Sequence, residues 1–330
     1  MDGATFPALL ASYLTIYLPR TRGCSPNTVK AYRDTFIIYL GFLDERGTPP
    51  DQATWDDFTP PVICDFLTWL DTNRGCGVST RNHRLTVVKA FLRYAQTQAP
   101  ELIHVTTPAL GLAAAKASHP QIGYLHPEGI RLILDQAKHV TPRDVALLGL
   151  LYDTAARVQE IVDLTIADLC LDKPATARLT GKGRKTRLVP VSPPTAALVT
   201  RYLHDTTRDP YDHVFTNRCG QPLTRAGIAW ILQRHATIVH GEHPDQVPAV
   251  VTPHMLRHSR AMHLLENGVN LIYIRDLLGH TSITTTEIYA KANPETKRQA
   301  IDTATHTLIP QTRYDRTTRT NLLDWLRHTI

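Results

Sequence analysis

The chain has 330 residues, of which 42% are hydrophobic and 20% are charged, so it can bury a full core and is expected to form two globular domains. It contains no run of about 18 apolar residues and no basic-then-apolar start, which argues against a membrane-spanning helix and a secretory signal. A formal net charge of +6 favours a polyanionic partner, although many basic proteins never bind nucleic acid.

The cysteines give no sign of a disulfide framework. There are five of them, at positions 24, 64, 76, 170 and 219, and no two form a C-x-x-C pair. We therefore expect a reducing, cytoplasmic compartment and no zinc ribbon. The string His240-Gly241-Glu242-His243 lacks the helical H-E-x-x-H spacing, so no metal site is predicted there.

Residues 1–112 are predicted to form a compact helical domain. Ser25-Pro26 and Thr59-Pro60 each combine an N-cap hydroxyl with a proline suited to the first helical position. Apolar residues recur at helical spacing from Val29 to Leu43 after the first signal, and from Val62 to Leu70 after the second. The second helix is expected to end near Gly75.

A third, basic helix is predicted from Arg81 to about Gln98, capped by Ser79. Its apolar face would hold Leu85, Val88, Phe91, Leu92 and Ala95. Its basic side chains, expected to point largely outward, are Arg81, Arg84, Lys89 and Arg93. Such a face could follow DNA phosphates or could be an ordinary solvated helix face, and the sequence leaves both interpretations open.

Residues 113–123 are small or polar and lack an apolar period, so they are predicted to link the first domain to a second one at 124–330. Helical patterns follow at about 127–138, 141–154 and 157–166. The segment from Ala177 to Val191 alternates apolar and polar residues at its two ends around Gly181-Lys182-Gly183. This alternation predicts a β-hairpin or small sheet with Lys182 at its turn.

Six residues between positions 157 and 289 have side chains that suit reaction at a phosphodiester: Arg157, Lys182, His254, Arg257, His280 and Tyr289. Arginine's planar guanidinium matches phosphate bidentately and stays protonated at any working pH. A tyrosine hydroxyl, with an ordinary pKa of about 10, is a weak nucleophile, but nearby cations stabilise its phenolate and a histidine can take its proton. A lysine on a turn can protonate the departing 5′ oxygen.

The local strings around these residues are ordered along the chain. They are Ala155-Ala156-Arg157-Val158-Gln159-Glu160, Thr180-Gly181-Lys182-Gly183, His254-Met255-Leu256-Arg257, and Leu277-Leu278-Gly279-His280 followed nine positions later by Tyr289. Each string alone is unspecific, but the ordered set resembles the tyrosine recombinases, also called the phage integrase family. The resemblance covers nearly the whole chain.

That resemblance implies a mainly α protein. Residues 1 to about 110 would form a helical, SAM-like core-binding domain, and residues from about 124 to 300 an α-rich catalytic domain with a small antiparallel β-sheet. Thr252-Pro253 predicts a helix start that places His254 and Arg257 on the first turns, where the helix dipole also favours phosphate.

The resemblance also implies a role for each residue. Arg157 and Arg257 would bind the scissile phosphate with Glu160 in support, and Lys182 would act as general acid. His254 and His280 would complete the site, and Tyr289 would form a 3′-phosphotyrosyl bond. Besides the basic helix, the candidate DNA-binding residues are Arg184 and Lys185 of the hairpin.

Each candidate has a plainer alternative. Arg157 could simply pair with Glu160 on its own helix, and Lys182 could belong to a solvated, highly charged hairpin tip with Arg184, Lys185 and Arg187. The two histidines could be structural, as His258 and His263 are predicted to be. Tyr289 could be a core aromatic residue. The match to the family pattern favours the functional interpretation in each case.

The resemblance implies that the reaction needs neither a metal nor a nucleotide cofactor. The partners it implies are double-stranded DNA with inverted-repeat core sites and a homotetramer that holds two such sites, with accessory recombinases as further candidates. About 40 residues follow Tyr289, and helices predicted near 294–303 and 321–326 could dock in trans on a neighbouring subunit. The expected location is the cytoplasm, at a prokaryotic nucleoid.

The biological role stays open at this point. Integration, excision or transposition of a mobile element is favoured because the string Thr284-Thr285-Thr286-Glu287-Ile288-Tyr289-Ala290-Lys291-Ala292 resembles that of the mobile-element members of the family. The alternatives are Xer-type resolution of chromosome or plasmid dimers, strand relaxation of the type IB topoisomerase kind, and a catalytically silent DNA-binding protein on the same fold. The complete set of candidate residues argues against the last of these.

Overall fold

The computed structural model of the chain describes residues 5–116, 123–181, 183, 185–204, 208–280, 286 and 327. The chain divides into two compact units between Pro120 and Gln121, a point inside the segment predicted as a linker. Within the described ranges, no helix is long and apolar enough to cross a membrane.

The described part of the first unit is helical. Its α-helices are α1 (Phe6–Ser12), α2 (Pro26–Glu45), α3 (Pro60–Thr72), α4 (Val78–Gln98) and α5 (Ile103–Leu110). A π-helical segment at Tyr13–Thr21 extends α1, and 3₁₀ turns lie at Pro50–Gln52, Trp55–Phe58 and Pro100–Leu102. The predicted starts of α2 and α3 are confirmed, and the Ser25 hydroxyl accepts a hydrogen bond from the Thr28 N–H at 3.2 Å.

Aromatic rings fill the centre of this unit. The Tyr39 ring lies 5.0 Å from that of Phe58 and 4.7 Å from that of Phe66, and the Phe36 ring lies 5.1 Å from that of Phe91. Burial of each large apolar side chain stabilises the fold by about 1.5–3 kcal/mol, so these rings supply much of what holds the helices together. The apolar face predicted for α4 is confirmed, since all five of its residues are buried.

The basic side chains of α4 lie differently from the prediction. The helix begins at Val78 with Gly77 as its N-cap, two residues before the predicted cap. The Arg84 guanidinium donates to the Thr35 hydroxyl at 2.6 Å, and the Lys89 ammonium donates to a backbone carbonyl of the segment after α5, that of Leu112. Arg81 pairs with Asp71 at 3.0 Å.

The prediction that Arg81, Arg84 and Lys89 point outward is therefore wrong. Packing of α4 against neighbouring helices brings hydroxyl, carbonyl and carboxylate acceptors within reach of these side chains. Arg93, by contrast, is exposed. The placement of the first three gives no support to an open phosphate-binding face.

The described part of the second unit combines helices with one small sheet. The elements are α6 (Pro127–Val140), α7 (Pro142–Asp153), α8 (Val158–Val162), β1 (Leu169–Cys170), β2 (Thr176–Thr180), β3 (Thr186–Pro190), α9 (Pro193–Leu203), α10 (Arg225–Glu242), α11 (Pro253–Glu266) and α12 (Leu271–Leu278). The first two predicted helices are confirmed to within a few residues. The third is shorter than predicted, because α8 ends at Val162 and a separate 3₁₀ turn follows at Ile166–Asp168.

Helix α7 runs through the centre of this unit. Every side chain from Asp144 to Leu151 is buried, and the helix packs against α6, α9 and α11. It is capped by the Thr141 hydroxyl, which accepts a hydrogen bond from the Asp144 N–H at 3.0 Å. A buried central helix fixes the position of the turn that follows it, and that turn carries Arg157.

The predicted hairpin is confirmed as part of a three-stranded antiparallel sheet in the order β1-β2-β3. Leu179 pairs with Arg187 across β2 and β3, and Ala177 pairs with Val189. Paired residues share a face of the sheet, so Arg187 lies on the same side as the buried Leu179 and Val189. Leu188 lies on the opposite face and is 68% exposed.

Candidate active site

The turn between α7 and α8 contains two groups of the site, the Ala155 carbonyl and the Arg157 side chain. Ala155 adopts a left-handed backbone conformation, with φ of 48°, which is uncommon for a residue that has a Cβ. Arg157 is the N-cap residue of α8, and its N–H donates to a carboxylate oxygen of Glu160 at 2.7 Å. Glu160 thus satisfies an orphan donor at the helix start.

Glu160 binds two arginines at once. Its carboxylate accepts from Arg157 Nη1 at 3.0 Å and from Arg187 Nη1 and Nη2, both at 2.7 Å. The carboxyl group is 2% exposed. Burial alone would raise the pKa of Glu160, but hydrogen bonds from Arg187 and from the Arg157 N–H outweigh that effect and hold the pKa below its ordinary value. The group is therefore an ionised anchor for both guanidiniums.

Arg257 reaches the same place from α11. The predicted start of this helix is confirmed, with the Thr252 hydroxyl accepting from the Met255 N–H at 3.2 Å. Arg257 is 4% exposed. Its Nη1 donates to the Ala155 carbonyl and its Nη2 to the Leu278 carbonyl, each at 2.6 Å. The guanidinium therefore bridges the α7–α8 turn and the end of α12.

The C-terminus of α12 binds three arginines, of which Arg157 makes the longest contact, from Nη2 to the Gly279 carbonyl at 3.5 Å. Arg187 Nε donates to the Leu277 carbonyl at 2.8 Å, next to the Leu278 carbonyl that accepts from Arg257. The last carbonyls of a helix have no partner within the helix and carry the negative end of its dipole, so cations are favoured there. Gly279 ends the helix in the left-handed conformation, with φ of 63°, and directs His280 into the site.

His280 is held as a neutral imidazole. Its Nε2 lies 3.2 Å from Arg257 Nη2, which can only donate, so Nε2 accepts and Nδ1 carries the proton. Nδ1 then donates to the Thr286 hydroxyl at 3.0 Å. Burial and the positive charges of Arg257 and Arg157 lower the pKa of His280 to about 4.

His254 lies on the first turn of α11 and is exposed to solvent. Partial desolvation, followed by the charges of Arg257 and Arg157, lowers the pKa of its imidazole. The same two arginines act on both His254 and His280. Arg257 Nη2 lies 3.2 Å from His280 Nε2, and Arg157 Nη2 lies 3.5 Å from the Gly279 carbonyl, so these groups share one site.

The lowered pKa of His280 predicts a pH dependence of folding. In the unfolded chain its pKa returns to about 6.5, so below that pH the unfolded state binds more protons than the native state. The stabilising contribution of the neutral imidazole is complete above about pH 6.5 and is lost as the pH falls towards the native value of about 4. We expect His280→Gln to show a smaller loss of stability over that interval, measured by denaturant unfolding.

His139, which is exposed near the C-terminal end of α6, supplies the control for this measurement. His139→Gln should leave the pH dependence as it is in the unchanged protein. An identical pH dependence in the His280→Gln protein would contradict the neutral state assigned to His280.

The structure brings together Arg157, Glu160, His254, Arg257 and His280 from among the predicted site residues. Lys182, Arg184 and Tyr289 lie outside the described residues, and so do the predicted helices at 294–303 and 321–326. Lys185 is exposed on the hairpin. A Cβ on Gly181, the residue before Lys182, would lie 2.9 Å from a carboxylate oxygen of Glu160, so the start of the hairpin turn abuts the same carboxylate.

Sequence reasoning missed Arg187, which it counted only among the charges of the hairpin tip. The guanidinium is 13% exposed and contacts Glu160 and the end of α12. The signal that could have identified it is the two-residue period of β3, in which residue 187 shares a face with Val189. Hydropathy obscured this signal, because the neighbouring Leu188 is the more apolar residue.

The histidine predicted as structural at position 263 is confirmed as such. Its Nδ1 lies 2.8 Å from the Tyr152 hydroxyl and its Nε2 lies 2.9 Å from the Leu125 carbonyl. His258 lies beside His254, with ring centres 6.4 Å apart, and its structural role stays a prediction.

The chemistry of the site suits a phosphodiester. Arg157 and Arg187 both bind the Glu160 carboxylate, and Arg257 binds the nearby Ala155 carbonyl, so among these described groups three positive charges face one negative charge. The excess of positive charge favours a group that gains negative charge on its non-bridging oxygens during reaction. The described ranges contain no group of three or more histidine, cysteine or acidic side chains arranged to hold a metal ion.

Comparison with known proteins places both units in known families. Residues 124–296 match the model of the phage integrase family, and residues 11–99 match that of the phage integrase N-terminal SAM-like domain. The tyrosine recombinase XerC of Roseiflexus sp. is 32% identical over 296 residues, covering 86% of this chain and 90% of the relative. An integrase/recombinase of Sinorhizobium fredii, y4rC, is 33% identical over 302 residues, covering 90% and 91%.

Solved structures with the same fold include two recombinases bound to DNA. The post-cleavage complex of the XerH site-specific recombinase with palindromic difH substrate aligns with a TM-score of 0.68 and 19% identity, covering 88% of this chain and 84% of that one. The Tn1549 transposon integrase in complex with a circular intermediate DNA aligns with a TM-score of 0.69 and 17% identity, covering 88% and 98%.

Proposed function

This chain belongs to the phage integrase family, and from that premise we propose that it is a site-specific DNA recombinase that cleaves and rejoins strands through a 3′-phosphotyrosyl intermediate. The observation that carries the proposal is the convergence of Arg157, Arg257, His254 and His280 from three separate segments of the second unit. Arg257 bonds the Ala155 carbonyl beside Arg157 and lies 3.2 Å from His280, Arg157 reaches the Gly279 carbonyl, and His254 lies one turn before Arg257 on α11. Two guanidiniums there can bind the non-bridging oxygens of one phosphate.

In the proposed reaction the Tyr289 hydroxyl oxygen attacks the scissile phosphorus, and the bond from phosphorus to the 5′ oxygen breaks. The phenolic proton passes to His254, whose lowered pKa keeps its imidazole neutral and able to accept it. Lys182 gives a proton to the departing 5′ oxygen. One phosphoester bond replaces another, so the reaction consumes no nucleotide and can run backwards onto a different strand.

Arg157 and Arg257 stabilise the charge that develops on the phosphate during this exchange. Their contacts to Glu160, Ala155 and Leu278 hold the guanidiniums in place before DNA binds. A preorganised donor costs no reorganisation at the moment of reaction, and loss of one such donor typically slows an enzyme by about 10²–10³-fold.

The proposed partners are double-stranded DNA with inverted-repeat core sites and three further copies of the chain. Recombination of two duplexes needs four such sites, and the segment after Tyr289 would dock in trans on a neighbouring subunit. We propose movement of a mobile element as the role, supported by the integrase/recombinase relative, and dimer resolution, suggested by the Xer relatives, as the second candidate. Accessory recombinases and a location at the nucleoid belong to the same proposal.

The experiment that tests the proposal is covalent capture. The protein is mixed with a pool of nicked duplexes that carry randomised inverted-repeat arms, in excess chelator and without ATP. We expect a protein–DNA adduct that survives denaturant, because a nick beside the cleavage point releases the short strand and prevents rejoining. Sequencing the trapped DNA then gives the site used in all further assays.

The captured site also separates recombination from relaxation. Two duplexes with the selected site should exchange strands through a four-way junction. Relaxation of a supercoiled plasmid that lacks the site, without any joining of two sites, would establish the type IB topoisomerase alternative. A strict magnesium requirement for adduct formation would contradict the proposed chemistry and indicate a metal-dependent nuclease.

A further inference from the structure

Arg187 joins three parts of the site through one side chain. Its Nη1 and Nη2 bind the two oxygens of Glu160, each at 2.7 Å, and its Nε donates to the Leu277 carbonyl at 2.8 Å. The residue itself belongs to β3, the outgoing strand of the hairpin that carries Lys182. One guanidinium thus connects the hairpin, the start of α8 and the end of α12.

Only arginine can make this set of contacts. Its rigid fork gives two parallel bonds to a carboxylate and leaves a third N–H pointing sideways, whereas a lysine ammonium acts as a single point charge. The ion pair is almost fully buried, with 13% and 2% of the two side chains exposed. Removal of one partner from such a pair leaves the other charge uncompensated.

Two glycines, Gly181 and Gly279, lie so close to the pair formed by Arg187 and Glu160 that a side chain at either position would collide with it. A Cβ on Gly279 would lie 2.9 Å from Arg187 Nη1, and a Cβ on Gly181 would lie 2.9 Å from the Glu160 oxygen that Arg187 binds. Real Cβ atoms almost never approach a neighbour so closely. The backbone before Lys182 and the backbone before His280 therefore both pack directly on the pair formed by Arg187 and Glu160.

We propose that Arg187 is a positioning residue of strand cleavage, acting through Glu160 on Arg157 and through the Leu277 carbonyl on the glycine–histidine end of α12. The inference rests on the proposed function. The Glu160 carboxylate accepts a hydrogen bond from Arg157 Nη1 at 3.0 Å and another from Arg187 Nη1 at 2.7 Å. Without Arg187, the Glu160 carboxylate and the Arg157 guanidinium that it binds can shift together.

The test compares Arg187→Met with a matched control, Arg178→Met. Arg178 lies on β2 of the same sheet and is half exposed, and within the described residues its side chain bonds Asp168 at 2.8 Å and the Ala167 carbonyl rather than a site residue. At saturating DNA, Arg187→Met should lower the single-turnover cleavage rate about a hundredfold, the effect of misplacing a catalytic group by about 1 Å. Affinity for the DNA site should change little, and Arg178→Met should cleave normally.

A neutral substrate distinguishes positioning from a general loss of structure. The two methylphosphonate diastereomers of the scissile phosphate each replace one charged oxygen by a methyl group. The diastereomer that lacks the oxygen bound by Arg157 is recognised as the one whose cleavage rate Arg157→Ala lowers least. On that diastereomer the defect of Arg187→Met should shrink to about tenfold or less, because the guanidinium it misplaces has lost its charged oxygen.

A double variant guards against misfolding. Arg187→Met with Glu160→Gln removes both charges of the buried pair, so no lone charge remains buried. Its cleavage defect should be no larger than that of either single variant, because the two residues act through one another. Arg187→Lys should recover part of the rate.

Three outcomes overturn the inference. Normal cleavage by Arg187→Met does so directly, and so does an equal defect on phosphate and on both methylphosphonates, which would mean a structural role only. Multiplying defects in the double variant would show that Arg187 and Glu160 act independently. No adduct from the unchanged protein would overturn the proposed function and this inference with it, whereas an adduct together with any of the three outcomes overturns the inference alone.

Discussion

Tyr289→Phe should form no covalent adduct with the captured DNA site. The change removes one oxygen atom, the proposed nucleophile, and leaves the ring in place, so DNA binding should be unaffected. Loss of a catalytic nucleophile lowers an enzymatic rate by on the order of a millionfold, which places the variant below detection in a denaturing gel. The assay uses the nicked duplex, and the attached residue is identified by digestion and mass spectrometry.

Tyr273→Phe is the matched control for this prediction. Tyr273 lies on α12, 16 residues before Tyr289, and its side chain is 70% exposed. The control should form the adduct at the rate of the unchanged protein. An adduct from Tyr289→Phe, or one attached to any other residue, would remove Tyr289 from the role of nucleophile.

Arg257→Ala should cleave about 10²–10³-fold more slowly at saturating DNA, the loss expected when one preorganised donor to the reacting phosphate is removed. Arg257→Lys should recover only part of this rate, since one ammonium cannot reach the Ala155 and Leu278 carbonyls together and still meet phosphate. Rates are measured in single turnovers, with DNA affinity determined separately by gel shift.

Arg275→Ala serves as the control for Arg257. Arg275 is a surface residue of α12, whose guanidinium pairs with the adjacent Asp276 at 2.7 Å. Its removal should leave cleavage unchanged. Cleavage by Arg257→Ala at the rate of the control would mean that Arg257 holds the fold together without acting on the phosphate.

The parts of the fold that local chemistry controls could be predicted from the sequence. Ser25 and Thr252 accept the hydrogen bond expected of an N-cap residue, whereas Thr59 precedes α3 without accepting one, and a proline follows each of the three at the first helical position. The strand alternation from Ala177 to Val191 likewise predicted the hairpin. These rules depend on residues only a few positions apart, which is why they could be applied without the structure.

Long-range contacts decided the features that sequence reasoning got wrong or missed. Arg84 turns inward because Thr35, 49 residues earlier, offers it an acceptor, and nothing near Arg84 in the sequence reports this. Arg187 points inward because Glu160, 27 residues earlier, needs a partner once it is buried. Its exposed neighbour Leu188 reversed the usual hydropathy pattern of a strand.

Part of the candidate site was named from the sequence, through the resemblance to the tyrosine recombinases. The match to the family pattern selected Arg157, His254, Arg257 and His280, which the structure brings to one place. Neither the neutral state of His280 nor the sharing of Glu160 between two arginines could be deduced from order alone. Both depend on distances between side chains.

The Ala155 carbonyl, which accepts a hydrogen bond from Arg257, affects which amino-acid substitutions this site can tolerate during evolution. Every amino acid has a main-chain oxygen, so no substitution at position 155 or 278 can delete the two acceptors that hold this guanidinium. Selection at such positions acts on backbone shape rather than on side-chain identity. At position 155, with its positive φ, glycine and asparagine fit readily, whereas β-branched residues fit poorly. Relatives can therefore differ in sequence at these two places and still hold the same arginine in the same position.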